Sequence, residues 1–149
     1  MIVTQSALDR LVQTTLQAQV FSAKVNLLLF TNNIALTKAT TLSQLVEATF
    51  TGYSRILAYT FGANPILQAD GTYSLLGALA TFRATSASPF VSNIVYGWAM
   101  VDNATGLILY GAELFPQPQA IVAPDDGFGL VVSLNQTPPN LNSFGTMIL

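Results

Sequence analysis

Ile94-Val-Tyr-Gly-Trp-Ala-Met-Val101, Asp102-Asn-Ala-Thr-Gly106 and Leu107-Ile-Leu-Tyr-Gly-Ala-Glu-Leu114 form the stretch that decides the fold class. Two apolar runs of strand length flank a short polar loop, the pattern of an antiparallel hairpin. Gly106 supplies the positive φ that such a loop needs before its second strand. Period two along the first run puts Tyr96 and Trp98 on one face, with Tyr110 across the hairpin in the same aromatic cluster. That cluster suits a core or a subunit interface, and its alternative use is a sugar-binding platform.

Outward from this hairpin, most of the chain repeats the pattern. Val25–Phe30 is an apolar run ended by the turn signal Thr31-Asn-Asn33. A second strand is expected through Arg55, Leu57 and Tyr59. Ile66–Gln68 and Tyr73–Leu76 flank Asp70-Gly71, and Leu79–Arg83 continues the alternation until Ser86-Ala-Ser-Pro89. Pro116 and Pro118 are expected to end the strand that starts at Leu107. Ala120–Val122 and Phe128–Leu134 flank the turn Pro124-Asp-Asp-Gly127. Short strands at this spacing predict an all-β sandwich or barrel of seven or eight antiparallel strands.

Two helices are expected beside the strands. Leu8, Leu11, Val12, Thr15 and Leu16 share one face of an amphipathic helix over residues 5–20, capped by Ser6 with Asp9 in its first turn. Thr41-Leu-Ser-Gln44 reads as a capping box that opens a helix of about two turns near 41–48. The whole chain, 1–149, thus reads as one β domain: N-terminal helical region 1–22, β core 23–136 and a C-terminal arm 137–149. The arm begins Thr137-Pro-Pro and ends in the apolar Phe144 and Met147-Ile-Leu149. It suits a strap to a neighbouring subunit, or a tail folded back on its own sheet.

Composition narrows function. Five basic and seven acidic residues make 8% of the chain, against about 25% in an ordinary soluble domain. A 15.9 kDa monomer exposes about 7,000 Å², which so few charged side chains cannot cover. Ser, Thr, Asn and Gln total 44 and stand in their place. Such side chains suit a surface that is wet before assembly and dry after it, since burying them costs less than burying charge. A homo-oligomer or lattice subunit is therefore expected rather than a free enzyme. The basic residues (Arg10, Lys24, Lys38, Arg55 and Arg83) are scattered and the net charge is −2, so no nucleic-acid surface is expected. Met1–Gln19 carries no signal-peptide pattern, and no apolar run reaches membrane-spanning length. No membrane partner is expected. The sequons at Asn103 and Asn135 are read as chance.

Chemistry-bearing constellations are sparse. With no His and no Cys, the commonest general base, metal ligand and thiol nucleophile are missing. No phosphate-cradling glycine motif occurs. Asp125-Asp126 offers hard oxygen ligands for a calcium ion, or simply caps its own turn. Glu47 and Glu113 form only a weak carboxylate pair. Gly52-Tyr53-Ser-Arg55 has two readings: Tyr53 and Arg55 contact a partner, or Arg55 pairs with Glu47 and locks the short helix to the sheet. Neither catalytic, cofactor nor metal residues are expected.

The runs Leu28-Leu-Phe-Thr-Asn-Asn33, Ala39-Thr-Thr-Leu-Ser-Gln-Leu-Val-Glu47 and Phe50-Thr-Gly-Tyr-Ser-Arg55 resemble segments of small all-β virion structural proteins of tailed phages. Val95-Tyr-Gly-Trp98 and Gly106-Leu-Ile-Leu-Tyr-Gly-Ala-Glu-Leu-Phe115 are similar to the same group. The resemblance implies a structural subunit of a virion and brings no catalytic residue with it. The expected role is a capsid decoration or cement subunit contacting the major capsid protein or its own neighbours. A tail, baseplate or fibre component touching the host surface, with Trp98 exposed, is the alternative. A stand-alone ligand-binding β-barrel is the third. The residues expected at interfaces are Leu8, Leu11, Leu16, Tyr53, Arg55, Trp98, Phe144, Met147 and Leu149.

Overall fold

Val25–Phe30 is apolar at five of its six positions, and every one of the six side chains is buried. A strand of that kind needs cover on both faces, and the fold supplies it. The computed structural model describes residues 2–4, 24–61, 66–67, 69 and 73–136. Among them, strands β1 (Ile2–Val3), β2 (Val25–Phe30), β3 (Ile56–Tyr59), β4 (Ile66–Leu67), β5 (Tyr73–Arg83), β6 (Asn93–Asp102), β7 (Leu109–Ile121) and β8 (Gly127–Gln136) form two antiparallel sheets. One sheet has the order β1-β7-β6-β2-β3 and the other β4-β5-β8. The expected all-β class is present. The helix expected over residues 5–20 lies outside the described residues, as do Asp70-Gly71 and the arm 137–149. Ile2–Val3 adds a short strand on Gly111 and Ala112, and the Thr4 hydroxyl continues the contact by donating to the Leu109 carbonyl.

The larger core lies between the sheets. Val25, Leu27, Leu29, Val95, Trp98 and Met100 meet Ala80, Phe82 and Val132 there. Rings of Phe50, Tyr53, Phe82, Phe128 and Phe115 follow one another through it, with successive centroids 5.3–6.4 Å apart. The smaller core covers the other face of the five-stranded sheet: Leu28, Phe30, Ala99 and Val101 pack under Ile34, Leu36, Leu42 and Leu45 of the segment that follows β2.

That segment is not the two-turn helix expected near 41–48. Only Leu42–Gln44 forms a single 3₁₀ turn, with the Gln44 carboxamide accepting from the Thr41 N–H at 2.8 Å. Leu45 is already extended (φ −92°, ψ 127°), and Glu47 pairs with Phe30 across the β2 edge. Backbone bonds from Thr31 N–H to Val46 and from Ala48 N–H to Leu29 fix that pairing. Sheet hydrogen bonds outcompete the local helical preference once Leu45 is drawn into the small core.

Two further expectations are corrected by irregular pairing. In β6 the register slips between Val95 and Gly97. As a result Trp98 faces the inter-sheet core while Tyr96 packs on the opposite side. Period two fails here because a bulge reverses the alternation. β7 also runs on through Pro116 and Pro118. Pairing with β6 jumps from Gly97↔Leu114 to Val95↔Gln119, so the prolines sit where no ladder bond is required of them.

β5 likewise joins two expected strands across a register shift between Leu76 and Leu79. The gap there is filled by Tyr59, which is 4% exposed: its hydroxyl donates to the Ala78 carbonyl at 2.5 Å and accepts from the Val132 N–H at 3.2 Å. Burial pushes the Tyr59 phenol up, which keeps it a donor. A Cβ on Gly77 would stand 2.1 Å from that hydroxyl, so the bulge requires glycine. Tyr59→Phe is expected to cost about 1–3 kcal/mol, because it leaves the buried Val132 N–H without its acceptor and takes the donor from the part-buried Ala78 carbonyl. Urea unfolding of wild type and variant measures it as a lower midpoint with an unchanged slope.

Candidate functional site

The polar groups that the fold brings together lie along the β3 side of β2 and continue to the loop between β6 and β7. Where the pairing of residues 46–48 with β2 stops, the Leu29 N–H donates instead to the Tyr53 hydroxyl at 3.1 Å. That hydroxyl donates in turn to Glu47 Oε1 at 2.9 Å. Arg55 closes on the same carboxylate in a two-pronged pair, Nε to Oε1 at 2.8 Å and Nη2 to Oε2 at 2.6 Å. Its remaining prong, Nη1, donates to the Gly106 carbonyl at 3.1 Å. Gly106 holds φ +66°, and a Cβ there would come within 2.9 Å of Arg55 Nη1, so both the turn and the docking call for glycine.

The loop that receives Arg55 is organised by Asp102, which is 2% exposed. Its carboxylate accepts from the backbone N–H groups of Thr105 (2.7 Å), Leu107 (3.0 Å) and Ile108 (2.8 Å) and from the Thr105 hydroxyl (2.8 Å). Asn103 and Asn26 complete the array: both side-chain oxygens accept from the Ala58 N–H, at 3.2 and 3.1 Å. Ala58 sits at φ +53°, where β3 slips against β2. The two asparagines thus satisfy an N–H that the irregular strand turns away from its ladder.

The electrostatics follow from these contacts. Burial on its own would raise the Glu47 carboxyl, but hydrogen bonds from Arg55 and Tyr53 and the charge of Arg55 hold it below its ordinary value. Burial pushes the Tyr53 phenol up, and the Glu47 charge acts in the same sense. Both groups therefore keep the protonation states that their bond needs. Burial also opposes ionisation of Asp102, yet the donors from Ile108, Thr105 and Leu107 overcome it and bring the carboxyl to about 2. The cluster is a lock: each side chain in it is occupied in holding a strand edge or a loop.

Of the residues expected at interfaces, the structure brings Tyr53 and Arg55 together in this lock, half-buried. Trp98 lies in the inter-sheet core at 4% exposure, the core half of the reading made for its cluster and not the exposed position that the host-contact alternative requires. Leu8, Leu11, Leu16, Phe144, Met147 and Leu149 lie outside the described residues. Asp126 caps its own turn, accepting from the Val122 and Ala123 N–H groups at 2.9 and 2.8 Å, and Asp125 meets Arg83 at the surface. Glu47 is taken up by Arg55, while Glu113 stands across from Trp98 on β7. The sequence reading missed Asn26, Asp102 and Asn103 as parts of one cluster. Only Asp102-x-x-Thr105-Gly106 carried a local sign of it, as an Asp placed to bind the backbone of its own loop. No family model, curated protein or solved structure matches this chain.

Two outcomes test the lock. Arg55→Met keeps much of the aliphatic stem but leaves Glu47 and the Gly106 carbonyl without their partner. It is expected to destabilise by about 1–2 kcal/mol in urea unfolding, since the pair is part-exposed. Asp102 contributes with a fixed sign. Its folded-state value lies below the ordinary 3.8, so its stabilisation is complete above that value and fades as pH falls toward 2. The difference is worth about 2 kcal/mol. Asp102→Asn is expected to flatten the loss of stability between pH 4 and 2, read from unfolding midpoints across that range.

Proposed function

We propose that this chain is a phage virion structural protein, a decoration or cement-type subunit that works by burying low-charge surface against the capsid shell and its neighbours. The observation that carries the reading is a surface with large apolar side chains and few charges. Leu57, Leu79, Leu107 and Val122 are 61–73% exposed, in a chain of which 8% is charged. Side chains of that kind gain about 25 cal/mol per Å² when a partner covers them. The resemblance to small virion proteins supports the same reading. The lock supports it too, because it holds the loop that presents Leu107 and the strand that presents Leu57 in fixed positions.

The alternative of a tail or baseplate component that touches the host through an exposed aromatic hairpin loses its main residue, since Trp98 belongs to the core. The shell reading needs no exposed aromatic. Its mechanism is additive: each seated copy joins neighbouring capsid subunits and raises the cost of separating them.

Particles are the test. Deleting residues 137–149 leaves β8 whole, so the domain is expected to keep its thermal transition while its occupancy on particles, counted by quantitative mass spectrometry, falls at least about tenfold. Full occupancy by the shortened chain would remove the arm from the proposal. A copy number of a few per particle would remove the shell.

A further inference from the structure

The sheet margins are protected very unequally. β3 has four residues, is kinked at Ala58, and has that N–H held by Asn26 and Asn103. The chain then crosses to the other sheet, where Phe61 pairs with Gly77 and β4 with β5, so this side of the sandwich is closed. On the other side, β7 is covered by β1 at Gly111 and Ala112 and carries Pro116 and Pro118 beyond them. Short strands, kinks and prolines are the usual guards against edge pairing.

β8 has none of these guards. Gly127-Phe-Gly-Leu-Val-Val-Ser-Leu-Asn-Gln136 is ten residues long and contains no charge and no proline. Its hydrogen-bonding phase can be read from two contacts. The Ala84 N–H donates to the Asp126 carbonyl, and the Val132 N–H turns inward to the Tyr59 hydroxyl at the β5 bulge. Even-numbered positions therefore address β5, and Gly127, Gly129 and Val131 direct their N–H and C=O groups away from it. Among the described residues, nothing pairs with those groups.

We infer that β8 is a self-pairing edge: two copies of this chain join their three-stranded sheets through antiparallel β8 strands about a two-fold axis at Gly129. The sequence of the edge favours a second copy as the occupant. With Gly129 on the axis, Gly127 of one copy stands opposite Val131 of the other, and each exchanges both backbone bonds. On the outward face a glycine opposite each Val131 leaves room for its side chain. Leu79, 69% exposed and in register with Val131, extends the apolar strip across the joined sheets. An uncharged edge has no like charges to bring together when it meets itself, as a charged edge would.

This inference does not rest on the virion reading, because it concerns the purified chain in solution. Sedimentation velocity of the full chain over a range of concentrations is expected to show a species of twice 15.9 kDa. Val131→Lys places a charge on the edge, and Gly129→Pro removes an outward N–H without touching the β5 ladder. Each is expected to raise the dimer dissociation constant at least about tenfold while circular dichroism keeps the native melt. Leu57→Lys, on the closed side and 68% exposed, is expected to leave the mass unchanged. The proposal is overturned by a wild-type chain that stays monomeric throughout, by a dimer that survives both β8 variants, or by one that dissociates equally with Leu57→Lys. None of these outcomes bears on particle occupancy.

Discussion

β2 has no side that can face water, and the rest of the architecture answers that constraint. Leu27 and Leu29 point into the sandwich, and Leu28 and Phe30 point the other way. The three-stranded sheet covers the first pair. The second pair needs a lid, and the segment after β2 provides it by lying across the outer face and returning along the β2 edge. A chain that placed a solvated, charged face on this sheet could leave one side bare. With twelve charged residues in all, this one covers one side with its second sheet and the other with the segment after β2.

Covering both faces creates a polar debt at the strand edges, since backbone groups there lose water before they find a ladder partner. Two tyrosines settle it in the same way. The Tyr53 hydroxyl takes the Leu29 N–H where residues 46–48 stop pairing with β2. The Tyr59 hydroxyl joins Ala78 to Val132 where β5 bulges. Each phenol is anchored by its ring in the aromatic core and spends its polar end as a missing rung. Asn26, Asn103 and Asp102 do comparable work at Ala58 and in the β6–β7 loop. Charge appears where it must orient such a group: Glu47 and Arg55 fix Tyr53 and the loop in one arrangement.

What the sequence made legible and what it hid follow the same division. β2 was readable from its apolar run Val25–Phe30 and from the turn signal Thr31-Asn-Asn33 that ends it. The β6–β7 hairpin was readable from its Asp and Gly. The pairing of Glu47 with Arg55 could be named from residue types alone. Hidden were the places where one residue departs from regular pairing. A single slip at Tyr96 put Tyr96 and Trp98 on opposite faces where one shared face was expected, and no local signal announces a bulge in an alternating run. The prolines of β7 misled for a related reason: they break a ladder only where a ladder bond is required. The helical pattern at 41–48 was real but short, and it yielded to an edge that needed pairing. Asp102 looked like an ordinary turn residue because its donors are the loop's own backbone.

The treatment of edges gives the scarcity of charge a more specific meaning than general hydrophobicity. Natural sheets usually guard their margins with lysines, kinks or prolines. Here the kinks and prolines are spent on β3 and β7, and among the described residues the basic side chain on the β5–β8 sheet is Arg83, at its far end beside Asp125. A protein selected to remain a free monomer gains from charge on β8, where one lysine is a small change and interrupts no core contact at the outward-facing Val131. Keeping glycine and valine there retains strand-pairing capacity at a long margin that kinks and prolines leave alone. Apolar residues at 61–73% exposure on several other elements make the same choice on the faces. Both features have the same physical consequence: apolar area and strand-pairing capacity stay at the surface of the described residues, as the proposed assembly with other chains requires.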